Sequence, residues 1–465
     1  MSEQAKLTRG SIPGHLVKQT VPMAIGVAAI MSISLIDAYF IGQLGADPLA
    51  AISFIFPITV ALTSLGVGVM VGINSVVARS LGAGDHAQAA RRANLGVVFA
   101  AVVGVTLGIA LWLLQEPLFR LMNAPDNLLP LIRDYMEPFA LAFPFLLVLM
   151  GFNGVLRGQG EANMSSFINI AYAAVNWVLD PILITGAFGI EGFGIAGAAY
   201  ATLIGWAVAV VLAVICVGRT HLPFNPALIR DCENPREPIV AIMKVAGPAS
   251  FSNAINPIGL SVLTALIALE GQSAVAAFGA AGRLQSFAVV PLLALSGSIG
   301  AIVGQNWGAK QPDRAREAAR GAGLFCISYG LVIAVALVVA AKWFAGFFTE
   351  DPAIVRQFAR YLEIAAWGYA GFGLLIVGNG ILNAVDKAGL ALAQSCARVF
   401  LVMLPFGWLL RPLWDSDAIY AAELAANVIG GLVAVLIVRK VLSDKSESTH
   451  AAEESEQDKG ETSVG

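Results

Sequence analysis

The chain is 465 residues long, 57% apolar and only 13% charged, with 48 glycines, so it carries more apolar surface than one soluble core can hide. Ordinary soluble domains are about 45–50% apolar and about 25% charged, which leaves a membrane as the fitting solvent and excludes disordered, fibrous and nucleic-acid-binding classes. The net charge of −3 is concentrated: residues 441–465 hold seven acids against two lysines, and the rest of the chain is slightly positive.

Residues 1–14 are polar and expected to form a cytoplasmic amino terminus; the apolar stretch that follows is too long for the core of a cleavable signal peptide. Six apolar segments come next, at about 15–42, 49–77, 93–115, 135–156, 164–187 and 194–218. Residues 219–239, with Pro223, Pro226, Pro235 and Pro238, read as a cytoplasmic linker. Six more follow at about 240–268, 274–305, 319–345, 359–384, 389–411 and 417–439. Each is long enough for about 30 Å of hydrocarbon and must be helical, because an open sheet cannot satisfy its backbone in lipid. The expected fold is an all-α membrane protein of twelve spans in two lobes, 15–218 and 240–440. The acidic tail, 441–465, lacks an apolar period and is expected to be disordered. Cys216, Cys232, Cys326 and Cys396 show neither disulfide nor zinc spacing.

Lysine and arginine alternate in density between connections. Twenty fall on the side of the two termini and six on the other, with Arg283 and Arg398 inside apolar segments. The positive-inside bias places both termini in the cytoplasm. The two halves repeat at an offset of 226 residues: Pro22 matches Pro248, Gly45 matches Gly271, Gly82 matches Gly308, and Tyr135, Glu137 and Asn153 match Tyr361, Glu363 and Asn379. An offset spanning an even number of helices gives a parallel repeat about an axis along the membrane normal, a transporter signature.

Residues that serve folding should recur in both lobes, so polar residues found in one lobe alone are the functional candidates. Asp37 faces Leu263, Asn176 faces Val402, Asp180 faces Phe406 and Thr202 faces Val428. A carboxylate at mid-membrane costs about 2.5–3.5 kcal/mol on insertion scales. Asn176 and Asp180 share a helical face, and Pro181 removes the usual donor of the Trp177 carbonyl. With Asn153, Thr202 and Asp37 these form either an oxygen cage for a hard cation or a carboxylate pair that holds one proton between them. The plainer roles are an interhelical hydrogen bond for Asn153, back-bonding for Thr202, a static kink at Pro22 and a structural part for the duplicated Glu137 and Glu363, near the outer ends of their helices. Gly68 and Gly72 signal close helix packing, and the loop from Gly82 to Arg92 reads as a helix cap.

The stretch Ile36-Asp37-Ala38-Tyr39-Phe40-Ile41-Gly42-Gln43-Leu44-Gly45, then Leu49-Ala50-Ala51, and the loop Ala78-Arg79-Ser80-Leu81-Gly82-Ala83-Gly84 resemble the multidrug and toxic compound extrusion (MATE) family over residues 10–440. Asp37, Asn176, Asp180 and Thr202 match the amino-lobe cation site of its prokaryotic DinF-like branch, with Tyr135 and Pro22 in the same pattern, Pro22 as the bending proline. The resemblance implies a monomeric inner-membrane antiporter, not an enzyme, that needs no cofactor. It would expel cationic or amphipathic drugs in exchange for H+ or Na+. The acids of the NorM-like carboxy lobe are missing: the seventh segment has none before Glu270, and the tenth offers Asn379 and Asn383.

Three rival classes fit the residues less well. A lipid-linked-sugar flippase would need cavity cations, for which Arg283 is the main candidate. A membrane-embedded enzyme lacks any HExxH, GxSxG or paired histidines. A channel is disfavoured by a two-lobed repeat with one polar lobe.

Overall fold

The computed structural model describes residues 5–461 apart from 188, 190, 226 and 228–233, with side chains as far as Ser443. Cys232 and Arg230 therefore lie outside the described residues; the other three cysteines are free. Almost every described residue is helical, as lipid demands of an uncharged backbone. The amino lobe comprises α1 (Ile12–Gln43), α2 (Ala46–Gly82), α3 (His86–Leu121), α4 (Leu129–Gly158), α5 (Ala162–Thr185) and α6 (Ile195–Gly218). The carboxy lobe begins with α7 (Arg236–Ile267), α8 (Gln272–Ala288), α9 (Val290–Gly308), α10 (Pro312–Val339) and α11 (Ala341–Gly346). It continues with α12 (Pro352–Ala365), α13 (Tyr369–Ala384), α14 (Ala388–Cys396), α15 (Leu404–Trp414) and α16 (Ser416–Glu461).

Among the described residues eleven stretches are long and apolar enough to span alone, and α8 with α9 makes a twelfth if the pair, bent by 44°, is one span. The bend falls where Pro291 enters the first turn of α9, since proline lacks the N–H that would continue the α8 ladder. A second interruption, a π-helical turn at Ala397–Met403, separates α14 from α15 around Arg398. The backbone of α16 stays helical through the acidic stretch that composition reads as a tail. Alanine, glutamate and lysine there are strong helix formers even without a packing face.

Helix boundaries recur at the repeat offset. α2 and α9 end at Gly82 and Gly308, α4 and α13 at Gly158 and Ala384, and α5 and α14 begin at Ala162 and Ala388. Left-handed backbone recurs as well, at Gly45 and Gly271, Gly84 and Lys310, and Gly160 and Asp386.

The lobes are clamped together at the membrane face on which both termini and the linker lie, here the terminal face. A Cβ on Gly82 would strike the Gln305 carbonyl, and one on Gly308 would strike that of Arg79, which is the same contact seen from either lobe. Arg79 Nη1 donates to the Ala384 carbonyl at 2.9 Å while Gln305 Nε2 donates to the Gly158 carbonyl at 2.8 Å, again a repeat-related pair. Ser75 donates to the Asn383 carbonyl at 2.6 Å, and the Thr20 and Ser298 hydroxyls meet at 2.8 Å. Gly68 and Gly72 of α2 make room for Ser250 and Ala246 of α7, so this small-residue spacing is an interlobe contact. The buried Leu7 is held from both sides, its N–H by Gln305 Oε1 at 2.9 Å and its carbonyl by Asn306 Nδ2 at 3.1 Å.

Beyond these contacts the facing stripes separate. On α7, the stripe that meets α2 at Ser250 continues through Asn253, Ser261 and Thr264, all exposed. On α8, the face in line with the interlobe residue Ala294 carries the exposed Ala276, Gly279, Arg283 and Phe287. A cleft therefore opens toward the far face.

Candidate ion-coupling site

α1 lies along α5 in parallel, close enough that Gly26 packs on the backbone of Ser166, and Trp177 Nε1 donates to Ser32 Oγ at 2.9 Å. This register brings Asp37 and Asp180 side by side, near enough to interact directly. Asp180 and Asn176 are fully buried, Thr202 is buried, and Asp37 is half-buried with its Oδ1 enclosed. Asn176 Nδ2 donates to the Tyr172 carbonyl at 2.9 Å, which turns its Oδ1 away from its own helix. Among the described residues, four buried oxygens here have no protein donor: Asp37 Oδ1, Asp180 Oδ1 and Oδ2, and Asn176 Oδ1. Two ionised carboxylates cannot donate to each other, so the pocket is short of positive charge. A proton or a hard monovalent cation fits that donor set; a transition metal, which favours imidazole or thiolate, does not.

An aromatic wall encloses the pocket. Tyr135 stands close to both carboxylates and stacks on Phe139 at 5.8 Å; Phe139 meets Trp206 at 5.8 Å, and Trp206 stacks on Tyr172 at 6.2 Å. The Tyr172 hydroxyl stands beside Thr202. Tyr172 and Trp206 were not among the sequence candidates. Their signal was present, since Tyr172, Asn176 and Asp180 recur every four residues, as do Thr202 and Trp206, but aromatic residues in an apolar segment read as ordinary packing.

The structure moves the site outward from the mid-membrane position expected. Asp37 is six residues from the end of α1, Asp180 five from the end of α5, Tyr135 six from the start of α4 and Thr202 seven from the start of α6. At 1.5 Å per residue all four lie about 8–10 Å from the far ends of their helices. Helices longer than the hydrocarbon thickness caused the difference, because charge-free stretches do not mark where a helix ends.

Asn153 and Pro22 stand elsewhere. Asn153 Oδ1 accepts from Ser165 Oγ at 2.6 Å, and Arg157 Nε donates to the same Ser165 at 3.1 Å, near the terminal face and about 20 Å along the bundle from Asp180. Asn153 is thus the interhelical hydrogen-bond partner and does not join the pocket. Pro22 lies inside α1, which is continuous through it, between Thr20 and Met23, which make interlobe contacts. Glu137 pairs with Arg133 at 2.7 Å and Glu363 with Arg360 at 3.5 Å, and Asp85 caps α3.

The carboxy lobe is more polar than expected. Glu423 is buried, 1% exposed, and faces Gly197 at the repeat offset, so a comparison made only where the amino lobe is polar passes over it. Its carboxylate is satisfied: Gln285 Nε2 donates at 2.6 Å and Tyr361, the copy of Tyr135, donates at 2.8 Å. Arg398, the copy of Tyr172, donates to Asn427 Oδ1 at 2.6 Å and Asn256 Oδ1 at 2.8 Å and lies 5.3 Å over Phe372. Beside the repeat-related tyrosines Tyr361 and Tyr135, one lobe thus holds a partnered acid and the other an unpartnered pair.

The MatE family profile matches residues 22–182 and 248–409, two copies whose starts are separated by the repeat offset. The chain belongs to the MATE family. Like its relatives, this MATE protein is a transporter of prokaryotic type and not an enzyme. It is 31% identical to the "FAD transporter" of Shewanella oneidensis, covering 95% of this chain and 97% of that one. It is 29% identical to the "Probable multidrug resistance protein YpnP" of Bacillus subtilis, over 91% and 92%. The Vibrio cholerae MATE transporter VcmN, solved in a mutant form, superposes with a TM-score of 0.88 at 29% identity, over 93% of this chain and 97% of that one.

Proposed function

We propose that this MATE protein is a secondary antiporter of the inner membrane that exports amphipathic small molecules in exchange for H+ or Na+. Asp37 and Asp180 take the coupling ion, with Asn176 and Thr202 completing the oxygen set. One observation carries the reading: two carboxyls packed together, with four buried oxygens lacking a protein donor. The charge bias supports a cytoplasmic terminal face, and on that reading the cleft opens outward and the pocket can fill from outside. Ion uptake neutralises the pocket and, through the packing of the amino lobe, shifts the protein to a state of lower affinity for cargo, which leaves; closure outside and opening inside release the ion. Coupling follows only if the ion's affinity differs between the two states. For cargo, the relatives' names give two classes, multidrug substrates and a flavin dinucleotide.

The test is transport by purified protein in liposomes, with pH and sodium gradients imposed separately. Asp37→Asn and Asp180→Asn should each lower gradient-driven transport by about a hundredfold, the loss expected when a charge-assisted contact to the coupling ion is removed. Full gradient-driven transport by both variants would dismiss the pocket as the coupling site.

A further inference from the structure

Arg283 is the one cation on the cleft-facing stripe of α8, and its place is fixed by register. Gly297 and Ala294 of α9 pack against Met23 of α1 at the closed end of the cleft. Arg283 lies three turns outward of Ala294, on the same side of the helix. Counting outward from Met23 by the same interval, the antiparallel α1 reaches Ser34, about one turn short of Asp37. Arg283 therefore stands on the carboxy-lobe wall, about one turn nearer the closed end than the acidic pocket on the other.

The surroundings match a receptor better than a structural post. Among the described residues no carboxylate pairs with Arg283, whereas Arg360 is paired with Asp417, Arg411 with Glu270, and Arg398 is bound by two asparagines. One turn to either side are Gly279, with open space where a side chain would be, and Phe287, 39% exposed. An exposed, unpaired guanidinium deep in a span is tolerated where it borders water, and a guanidinium binds planar or tetrahedral oxyanions through two parallel N–H bonds. It also repels cations, so within the cationic or amphipathic range that the resemblance implies it disfavours the cationic members. Bare backbone at Gly279 and the ring of Phe287 provide apolar area for a flat body attached to the charge.

We propose that the cargo carries an oxyanion, such as a phosphate or carboxylate, and that Arg283 receives it while the apolar part lies along Gly279 and Phe287. This rests on the exporter reading, in which the acids are reserved for the coupling ion.

The experiment uses gradient-free counterflow in liposomes, which reports cargo exchange whether or not the coupling assignment holds. The probes are riboflavin, FMN and FAD, which keep one fluorophore while phosphates are added, and ethidium as a cation. Arg283→Gln should reduce FMN and FAD exchange by about tenfold relative to riboflavin, the loss expected for a charge-assisted hydrogen bond. Arg283→Lys should recover part of it, and ethidium exchange should hold or rise. Equal losses for all four probes would make Arg283 a structural or gating residue and overturn the proposal. So would unchanged FAD exchange in Arg283→Gln, or a wild-type protein that carries neither phosphorylated flavin. Full gradient-driven transport by Asp37→Asn and Asp180→Asn would instead remove the coupling assignment and leave the charge selectivity standing.

Discussion

Gly205 sets how closely α6 approaches α5 at the pocket. A Cβ there would press on the Asn176 amide and come within 2.9 Å of the Tyr172 ring. Gly205→Val should therefore displace Asn176 and loosen the aromatic wall, costing about 1–3 kcal/mol of stability by overpacking. Transport should fall at least as far as in Asn176→Ala, with thermal melting in detergent and liposome flux as the two readouts; unchanged flux would show that the Asn176 oxygen is not required. At this scale the sequence was informative about charge and poor about partners. Asp37, Asn176, Asp180 and Thr202 stood out because their copies are apolar. Asn153 was misplaced because a polar residue in a span does not reveal its depth, and Glu423 was missed because its copy is a glycine.

Between elements, the most consequential contact is the reciprocal one of the α2 and α9 ends. Gly82 lies on the Gln305 carbonyl and Gly308 on that of Arg79, so neither position tolerates a side chain while the terminal face is shut. The double variant Gly82→Leu/Gly308→Leu should favour the opposite state. A cysteine placed at Thr20, buried in the closed form, should react with maleimide about tenfold faster in it, a shift of about 1.4 kcal/mol. An unchanged rate would mean that these glycines serve packing within the lobes only. The glycines were visible in the sequence as a repeated loop, but their function was not, because a cap and an interlobe contact leave the same residue type behind. Helix number was legible from charge-free runs, whereas the bend at Val289 and the π-turn at Arg398 break the helical period without breaking the apolar pattern.

For the molecule as a whole, exchange requires that the terminal face open. The Thr20 and Ser298 hydroxyls, 2.8 Å apart across the lobes, mark a place to forbid it. Thr20→Cys with Ser298→Cys, in a background without other cysteines, should cross-link under mild oxidation, since their sulfurs need to come only about 2.0 Å apart. Transport should stop and return on reduction. Flux that persists through complete cross-linking would dismiss rocking of the lobes as the transport motion. The two-lobed plan was legible from one constant offset, because duplication preserves prolines and helix ends together. Which face is closed was not, since both conformations use the same residues.

The shallow position of the acidic pocket bears on how membrane voltage drives the cycle. On the proposed coupling, an ion arriving from the far face would cross only about the outer quarter of the bilayer to reach Asp37 and Asp180, so little of the field would act on its entry. Nearly all of the roughly 2.3 kcal/mol per charge that 100 mV supplies must then be collected in the conformational swing and the discharge to the opposite side. Since the ion neutralises the pocket, a negative interior would act on the empty carrier, driving its anionic pocket back toward the outside while leaving the apparent affinity for the external ion almost untouched.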